Sequence, residues 1–161
     1  MYTVLQNLAL TSFDESCWIS RIRHLIAVNN QYSNIITPLT ETESTDLVYS
    51  DREGELTALL IQAGYLASSS WRGRMPKYHI EVKTTMGNMN YPFFCSQAQF
   101  ERMESMELSD GEEATDDIYL IARVFGLGRA RMGMKLYLDP WKLRRTKQLK
   151  FFASVYQVTQ L

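Results

Sequence analysis

The sequence predicts a mixed α+β domain in which helices flank a central mixed sheet. Apolar residues recur at helical spacing in two stretches, and residues 78–85 alternate strictly between apolar and polar side chains. Asp117–Phe125 is short and almost wholly apolar, which is typical of a strand buried on both faces. A chain of 161 residues is the size of one domain, and this order of helices and strands indicates a mixed sheet.

Two helices are predicted before the alternating strand. Residues 14–28 carry apolar side chains at helical spacing, and residues 52–63 do the same, with Gly64 as a C-cap. A long polar connection separates the two helices. We therefore expect residues 1–45 to form an N-terminal helix and polar connection, and residues 46–161 to form the core of one compact domain.

Shorter patterns predict the remaining elements. A turn region over residues 67–77 borders any strand near residues 66–71. Asp139 followed by Pro140 is typical of a helix start. Further strands are predicted at residues 91–95, 117–125, 134–138 and 149–159, and a further helix at residues 96–107.

Composition points to an intracellular protein, cytoplasmic or nuclear. The two cysteines, Cys17 and Cys95, lie far apart, so neither a disulfide framework nor a zinc cluster is expected. No apolar run approaches the ~20 residues that span a bilayer, so we expect no membrane contact. The first residues lack the basic start of a secretory signal.

Glu81 and Lys83 are the candidate catalytic pair. They are two residues apart on the alternating strand, so they share its polar face with His79. A carboxylate is a hard oxygen ligand for Mg²⁺, and a bound metal ion lowers the pKa of an attacking water. Lys83 would orient that water or offset the charge that develops on a phosphate. The pair suits metal-assisted phosphodiester hydrolysis, although charged pairs on solvated strand faces are common.

The strand that carries this pair resembles a family signature. Residues 80–85 read Ile-Glu-Val-Lys-Thr-Thr. This closely resembles the signature of the family found at the C-terminus of the plant protein NO VEIN and in many fungal proteins, within the PD-(D/E)xK nuclease-like superfamily. The likeness extends over much of residues 46–158. Its other parts are Glu55 on the preceding helix, Ser96-Gln97-Ala98-Gln99, the apolar strand 118–125 and Tyr137-Leu138-Asp139-Pro140.

The resemblance implies a restriction-endonuclease-like core and a set of roles. Glu81 and Glu55 would hold Mg²⁺, Lys83 would assist the attacking water, and Gln99 would orient a ligand or a backbone phosphate. Such nucleases place a further acid, usually aspartate, on the strand before the signature. Ser68–Trp71 occupies that region here, and no Asp or Glu lies between Glu55 and Glu81. This departure leaves open whether the chain is an enzyme.

Two other functions remain open. A catalytically inactive relative would use the cleft to bind nucleic acid or a protein partner, with Glu81 and Lys83 paired as a surface salt bridge. A pure interaction module would instead expose an apolar patch. The residues expected in that patch are Trp71, Met75, Met86 and Met89.

Some candidate residues have simpler structural roles. Ser96 and Gln99 match a capping box, and Glu55 is an acid in a first helical turn. A basic run near the C-terminus is either a nucleic-acid contact or a solvated face. It consists of Lys142, Arg144, Arg145 and Lys147.

Overall fold

The computed structural model describes residues 2–20, 45–108, 115–128 and 132–152, which contain a four-stranded mixed sheet with helices on both faces. The strands are β1 (Leu47–Ser50), β2 (Lys77–Thr84), β3 (Asp117–Phe125) and β4 (Gly133–Leu138), in the spatial order β1-β2-β3-β4. β2 and β3 are parallel, whereas β1 pairs with β2, and β3 with β4, in antiparallel fashion. The predicted mixed α+β class is confirmed.

The helices are short. They are α1 (Tyr2–Asn7), α2 (Glu55–Gln62), α3 (Ser68–Trp71), α4 (Gln97–Ser105) and α5 (Pro140–Arg145), with a 3-10 turn at Glu15–Cys17. α4 lies in the connection between β2 and β3, because parallel strands need a crossover rather than a tight hairpin. Within the described ranges, no helix is long and apolar enough to cross a membrane.

The larger core lies between one face of the sheet and helices α1, α2 and α3. Side chains change face at every step along a strand, so alternate residues enter this core. The buried strand members include Tyr49, Tyr78, Ile80, Ile118 and Leu120, and the helices add Leu5, Leu56, Leu60 and Trp71.

The other face of the sheet is covered by α4 and α5. Met103 of α4 packs on Tyr119 and Ile121 of β3, and all three are buried. The rings of Phe100 in α4 and Trp141 in α5 meet edge to face, with centroids 5.0 Å apart. The polar side of β2 therefore lies under helices rather than in solvent.

Three predicted helix boundaries are confirmed. Gly64 follows α2 with a φ of +77°, a left-handed conformation that glycine adopts without strain. Ser96 caps α4 in a capping box with Gln99. Asp139 caps α5, since its carboxylate accepts a hydrogen bond from the amide of Lys142.

Four predicted elements are wrong in the described residues. The predicted helix at 14–28 is a 3-10 turn followed by an extended bridge from Trp18 to Leu47, and residues 21–28 lie outside the described ranges. Residues 68–71 form α3 rather than a strand, because the helical turn places the Trp71 side chain in the core. Residues 91–95 are irregular, and so are residues 149–152 of the predicted last strand, whose remainder is outside the described ranges.

The described part of residues 1–45 packs directly on the sheet. Leu5 and Leu10 belong to the larger core. The amides of Ile19 and Ser20 both donate to the carbonyl of Asp46 at 3.0 Å. The N-terminal residues thus cover the outer edge of β1.

Candidate functional site

The candidate site lies where β2 passes beneath the first turn of α4. Glu81 and Lys83 point toward α4, because alternate residues of β2 share a face. Glu81 is 4% exposed. The side chain of Lys83 is 15% exposed, so its ammonium group is the part of the pair nearer to solvent.

Glu81, Lys83 and Gln99 form a closed triangle of hydrogen bonds. The Lys83 Nζ lies 2.9 Å from Glu81 Oε1 and also donates to Gln99 Oε1 at 2.9 Å. The Gln99 Nε2 donates to Glu81 Oε1 at 2.6 Å. All three predicted catalytic residues are therefore in mutual contact.

Gln99 serves both the helix start and the triangle. Its Oε1 accepts the amide of Ser96 at 3.0 Å, while the Ser96 hydroxyl accepts the amide of Gln99 at 3.2 Å. The capping box fixes the rotamer of Gln99, and the fixed rotamer directs Nε2 to Glu81. The capping role predicted for Gln99 is confirmed, and the same side chain also contacts Glu81 and Lys83.

Asp46 is a site residue that the sequence reasoning missed. Leu47 pairs with Ile80 in the β1–β2 ladder, so one step further along the antiparallel register Asp46 stands opposite Glu81. Its amide donates to the carbonyl of Ile80 at 3.2 Å, and its Oδ2 accepts the amide of Val82 at 2.9 Å. A second carboxylate therefore adjoins Glu81.

The order of the elements explains why Asp46 was missed. The family resemblance predicts an acid between Glu55 and Glu81, on a strand immediately before the signature. That stretch contains α3, whereas the strand paired with β2 is β1, which precedes α2. The available signal was an aspartate directly before a short strand of Leu, Val and Tyr residues.

Burial and Asp46 together raise the pKa of Glu81. Desolvation is the largest cause, and the negative charge of Asp46 adds to it. Hydrogen bonds from Lys83 and Gln99 oppose both, and the resulting pKa is about 6 against an ordinary value of 4.5. The site thus holds more negative charge than Lys83 neutralises, and a further cation would be stabilised there.

A magnesium ion would find two carboxylates here, those of Asp46 and Glu81. In the described part of the chain, no group of three or more His, Cys, Asp and Glu side chains could hold a metal ion. Mg²⁺, however, is commonly bound through one or two carboxylates plus substrate phosphates and water. The donor set therefore suits a weak site that is completed by a phosphate.

Glu55, the other predicted metal ligand, lies elsewhere. It begins α2, which packs on the sheet face opposite to α4. Its Oε2 accepts the amide of Thr11 at 2.6 Å, and its Oε1 accepts the Thr11 hydroxyl at 2.9 Å. The structure does not bring Glu55 to Glu81; the carboxylate ties the N-terminal segment to α2 instead.

His79 belongs to a separate polar cluster at the start of β2. It is 3% exposed, and its Nε2 lies 2.6 Å from Asp117 Oδ1. Its Nδ1 lies 3.4 Å from Arg102 Nη2 of α4. These residues border an open hollow of about 510 Å³ together with Lys77 and Glu107. His79 is thus a buried bridge between two strands and α4.

The basic run falls on α5 and the residues after it, and two of its side chains contact other residues of the protein. The Arg144 guanidinium stacks 4.3 Å from the centroid of the Trp141 ring. Arg145 is paired with Glu107. Lys147 is exposed and Lys142 half-buried. Trp141, 8% exposed, is a packing residue here.

The expected apolar patch is not formed as predicted. Trp71 is 3% exposed and belongs to the core. Met75 and Met86 are exposed but lie beyond opposite ends of β2, so roughly 25 Å of strand separates them. Met89 is half-buried, and its segment also carries Phe94, which is 76% exposed.

Comparison with known proteins adds no relative. No protein-family model, no curated protein and no solved structure matches the chain. Function must therefore be argued from the site itself.

Proposed function

We propose that this chain is a PD-(D/E)xK-type nuclease domain that hydrolyses phosphodiester bonds with the help of Mg²⁺. The observation that carries the proposal is the placement of Asp46 beside Glu81. Together with Lys83 and Gln99 they form an acid, acid, lysine and glutamine set on one face of the sheet. In this proposal the acid that the signature requires is Asp46, directly before β1.

Asp46 and Glu81 would hold the ion between them. A divalent cation held there would polarise a phosphate and lower the pKa of an attacking water. The protein's part is to hold these two carboxylates close before substrate arrives. Because Asp46 is fixed by the Val82 amide and Glu81 by Gln99, the site needs little rearrangement on binding.

Lys83 would stabilise the charge that develops on the phosphate. Its ammonium group is held by two acceptors, Glu81 and Gln99. When Glu81 is drawn into ligand contacts, Gln99 still holds Lys83 beside the carboxylates. The lysine then donates a hydrogen bond toward the phosphate oxygens or orients the attacking water.

A second candidate is a nuclease-fold module that binds a partner without cleaving it. The favouring observation is the direct contact between Lys83 and Glu81 at 2.9 Å, which occupies the carboxylate of the signature. Glu81 is buried and Lys83 is only partly exposed, unlike the surface bridge expected for this candidate, so breaking the pair for metal binding would be more costly than at a surface.

Metal binding and cleavage measured on the same variants separate the two candidates. Mn²⁺ binding would be titrated by electron paramagnetic resonance, and cleavage followed on labelled DNA and RNA in Mg²⁺, Mn²⁺ or EDTA. The variants are Asp46→Asn, Glu81→Gln and Lys83→Met, with Glu101→Gln, an exposed carboxylate of α4, as the control. The nuclease proposal expects loss of cleavage in the first three variants alone. A folded parent protein without metal binding or cleavage would favour the binding module.

A further inference from the structure

A row of three cations crosses the sheet beside the candidate site. Lys83 of β2 is paired with Arg123 of β3, and Arg123 is paired with Lys135 of β4. Paired residues point to the same face, here the face covered by α4. Like charges in such positions destabilise a sheet. An anion bound along the row would relieve that repulsion.

The positive charge of the row is not neutralised beyond Lys83. Among the residues that the structure describes, neither Arg123 nor Lys135 forms an ion pair with a carboxylate. Arg123 is 1% exposed and donates from Nη2 to the carbonyl of Tyr91 at 3.0 Å. Its Nε is buried without a hydrogen-bond partner in that part of the chain. A buried, unpaired guanidinium strengthens the attraction of anions to the surface above it.

Aromatic side chains extend along the same row. The Arg123 guanidinium lies 5.1 Å from the centroid of the Phe93 ring. The Phe93 ring is 6.2 Å from that of Tyr137, over which the Lys135 ammonium sits at 5.3 Å. The rings of Phe93 and Tyr137 thus lie between the charged groups of Arg123 and Lys135, and Arg123 is paired with Lys83 of the site.

The loop between β2 and α4 carries two further, exposed rings, Tyr91 and Phe94, on either side of Phe93 in the sequence. Phe94 is 76% exposed and Tyr91 is 58% exposed. Their loop is fixed by the bond from Arg123 to Tyr91 and by the Gly126 amide, which donates to the carbonyl of Gly87 at 2.9 Å. Large apolar rings held in solvent by a rigid support are pre-organised for contact with a ligand.

We propose that this surface, made of Lys83, Arg123, Lys135, Tyr91, Phe93 and Phe94, binds a single strand of nucleic acid. The inference rests on the proposed function and names its substrate class. Lys83 and Lys135 contact phosphates, while the exposed rings of Phe94 and Tyr91 stack on bases. Arg123 is a positioning residue, because it is buried and holds the loop through Tyr91.

The exposed rings select single strands over duplexes. A base can stack on a protein ring only when its own face is free, whereas the bases of a duplex cover one another. Stacking is tolerant of sequence because every base has an aromatic face. The surface therefore suits unpaired DNA or RNA without strong sequence preference.

Binding in EDTA tests this surface independently of cleavage. Fluorescence anisotropy would compare labelled oligothymidine, oligouridine and a duplex against the full chain. We expect single strands to bind more tightly than the duplex, and Phe94→Ala to weaken single-strand binding about ten-fold. Lys135→Gln should weaken binding and reduce the salt slope by about one. Tyr65→Ala and Arg72→Gln, which alter exposed residues near the helices of the opposite face, should bind like the parent.

Clear results would overturn the proposal. The proposal is wrong if the protein binds a duplex as tightly as a single strand, or if it binds neither. It is also wrong if Phe94→Ala and Lys135→Gln bind as tightly as the control variants. Circular dichroism would confirm that the variants are folded, as expected for changes at exposed positions. Binding that depends on Phe94 without any cleavage would refute the hydrolytic function alone. Cleavage that is indifferent to Phe94 and Lys135 would refute this surface alone.

Discussion

Asp46 and Glu81 stand opposite each other across the antiparallel ladder of β1 and β2, and the charge of Asp46 helps to raise the pKa of Glu81. Two carboxylates are thus held together in a partly desolvated place, where only one lysine, Lys83, neutralises them by an ion pair among the described residues. In the proposed function, a bound cation would offset this excess negative charge.

Asp46→Asn should abolish divalent-ion binding without unfolding the protein. The asparagine oxygen can still accept the Val82 amide, so the β1–β2 edge keeps its hydrogen bond. We expect loss of Mn²⁺ affinity and of cleavage, with a change in unfolding free energy within about 1 kcal/mol. Titration with Mn²⁺ and chemical denaturation would measure both. Retained Mn²⁺ affinity would contradict the assignment of Asp46 as a ligand.

Relative to the parent protein, Glu81→Gln should gain stability in the metal-free state as pH rises from about 4.5 through 6. The pKa of Glu81 in the folded protein is raised to about 6 from 4.5. Protonated Glu81 therefore contributes fully to the free energy of unfolding below pH 4.5, and this contribution is lost as pH rises through 6. The neutral amide avoids that loss, which amounts to about 2 kcal/mol. Denaturation in EDTA across this pH window should show the variant gaining stability relative to the parent as pH rises. A difference that is constant with pH would refute the raised pKa.

Gln99→Glu should tighten divalent-ion binding while weakening the metal-free fold. Glutamate keeps the capping box with Ser96, so α4 should start normally. It cannot donate to Glu81, however, and it adds a third carboxylate to the site. We expect a lower melting temperature in EDTA and a larger rise on adding Mn²⁺ than in the parent. Gln97→Glu is the matched control, because Gln97 is exposed and lies two residues before Gln99 in α4.

Asp139→Ala should destabilise the fold without affecting metal binding. Its Oδ1 accepts the Lys142 amide and its Oδ2 accepts the buried Leu108 amide, both at 3.1 Å. Its φ of +46° is also unfavourable for alanine. Loss of both acceptors should lower the unfolding free energy by about 2–4 kcal/mol. Asp139→Asn should lower the free energy of unfolding by less, because asparagine tolerates that backbone conformation and keeps one acceptor.

Local patterns predicted most of the fold. The helix boundaries at Gly64, Ser96 and Asp139 were predicted from capping residues, because a helix cap depends only on residues close in sequence. β3 was predicted over its full length because a short, wholly apolar run fits a strand covered on both faces. Where neighbouring residues determine the structure, the sequence was sufficient.

Long-range pairing was the part that local patterns could not predict. Residues 68–71 form a helical turn that places Trp71 in the core. Residues 91–95 are irregular, and the Tyr91 carbonyl accepts a hydrogen bond from the distant Arg123 side chain. Asp46 could not be predicted as a site residue for the same reason, since its position beside Glu81 depends on long-range strand pairing. The triangle of Glu81, Lys83 and Gln99 was predicted as a site, but its second acid depended on which strand pairs with β2.

The contact of Asp46 with the N-terminal segment bears on where the chain can be shortened. A cut at residue 45, where the sequence alone divides the chain, would remove the amides of Ile19 and Ser20 that bond to the Asp46 carbonyl. It would also remove Leu5 and Leu10 from the core and leave β1, four residues long, as an open edge. The smallest piece that keeps both acids in place must therefore include α1, although α1 contributes no side chain to the site.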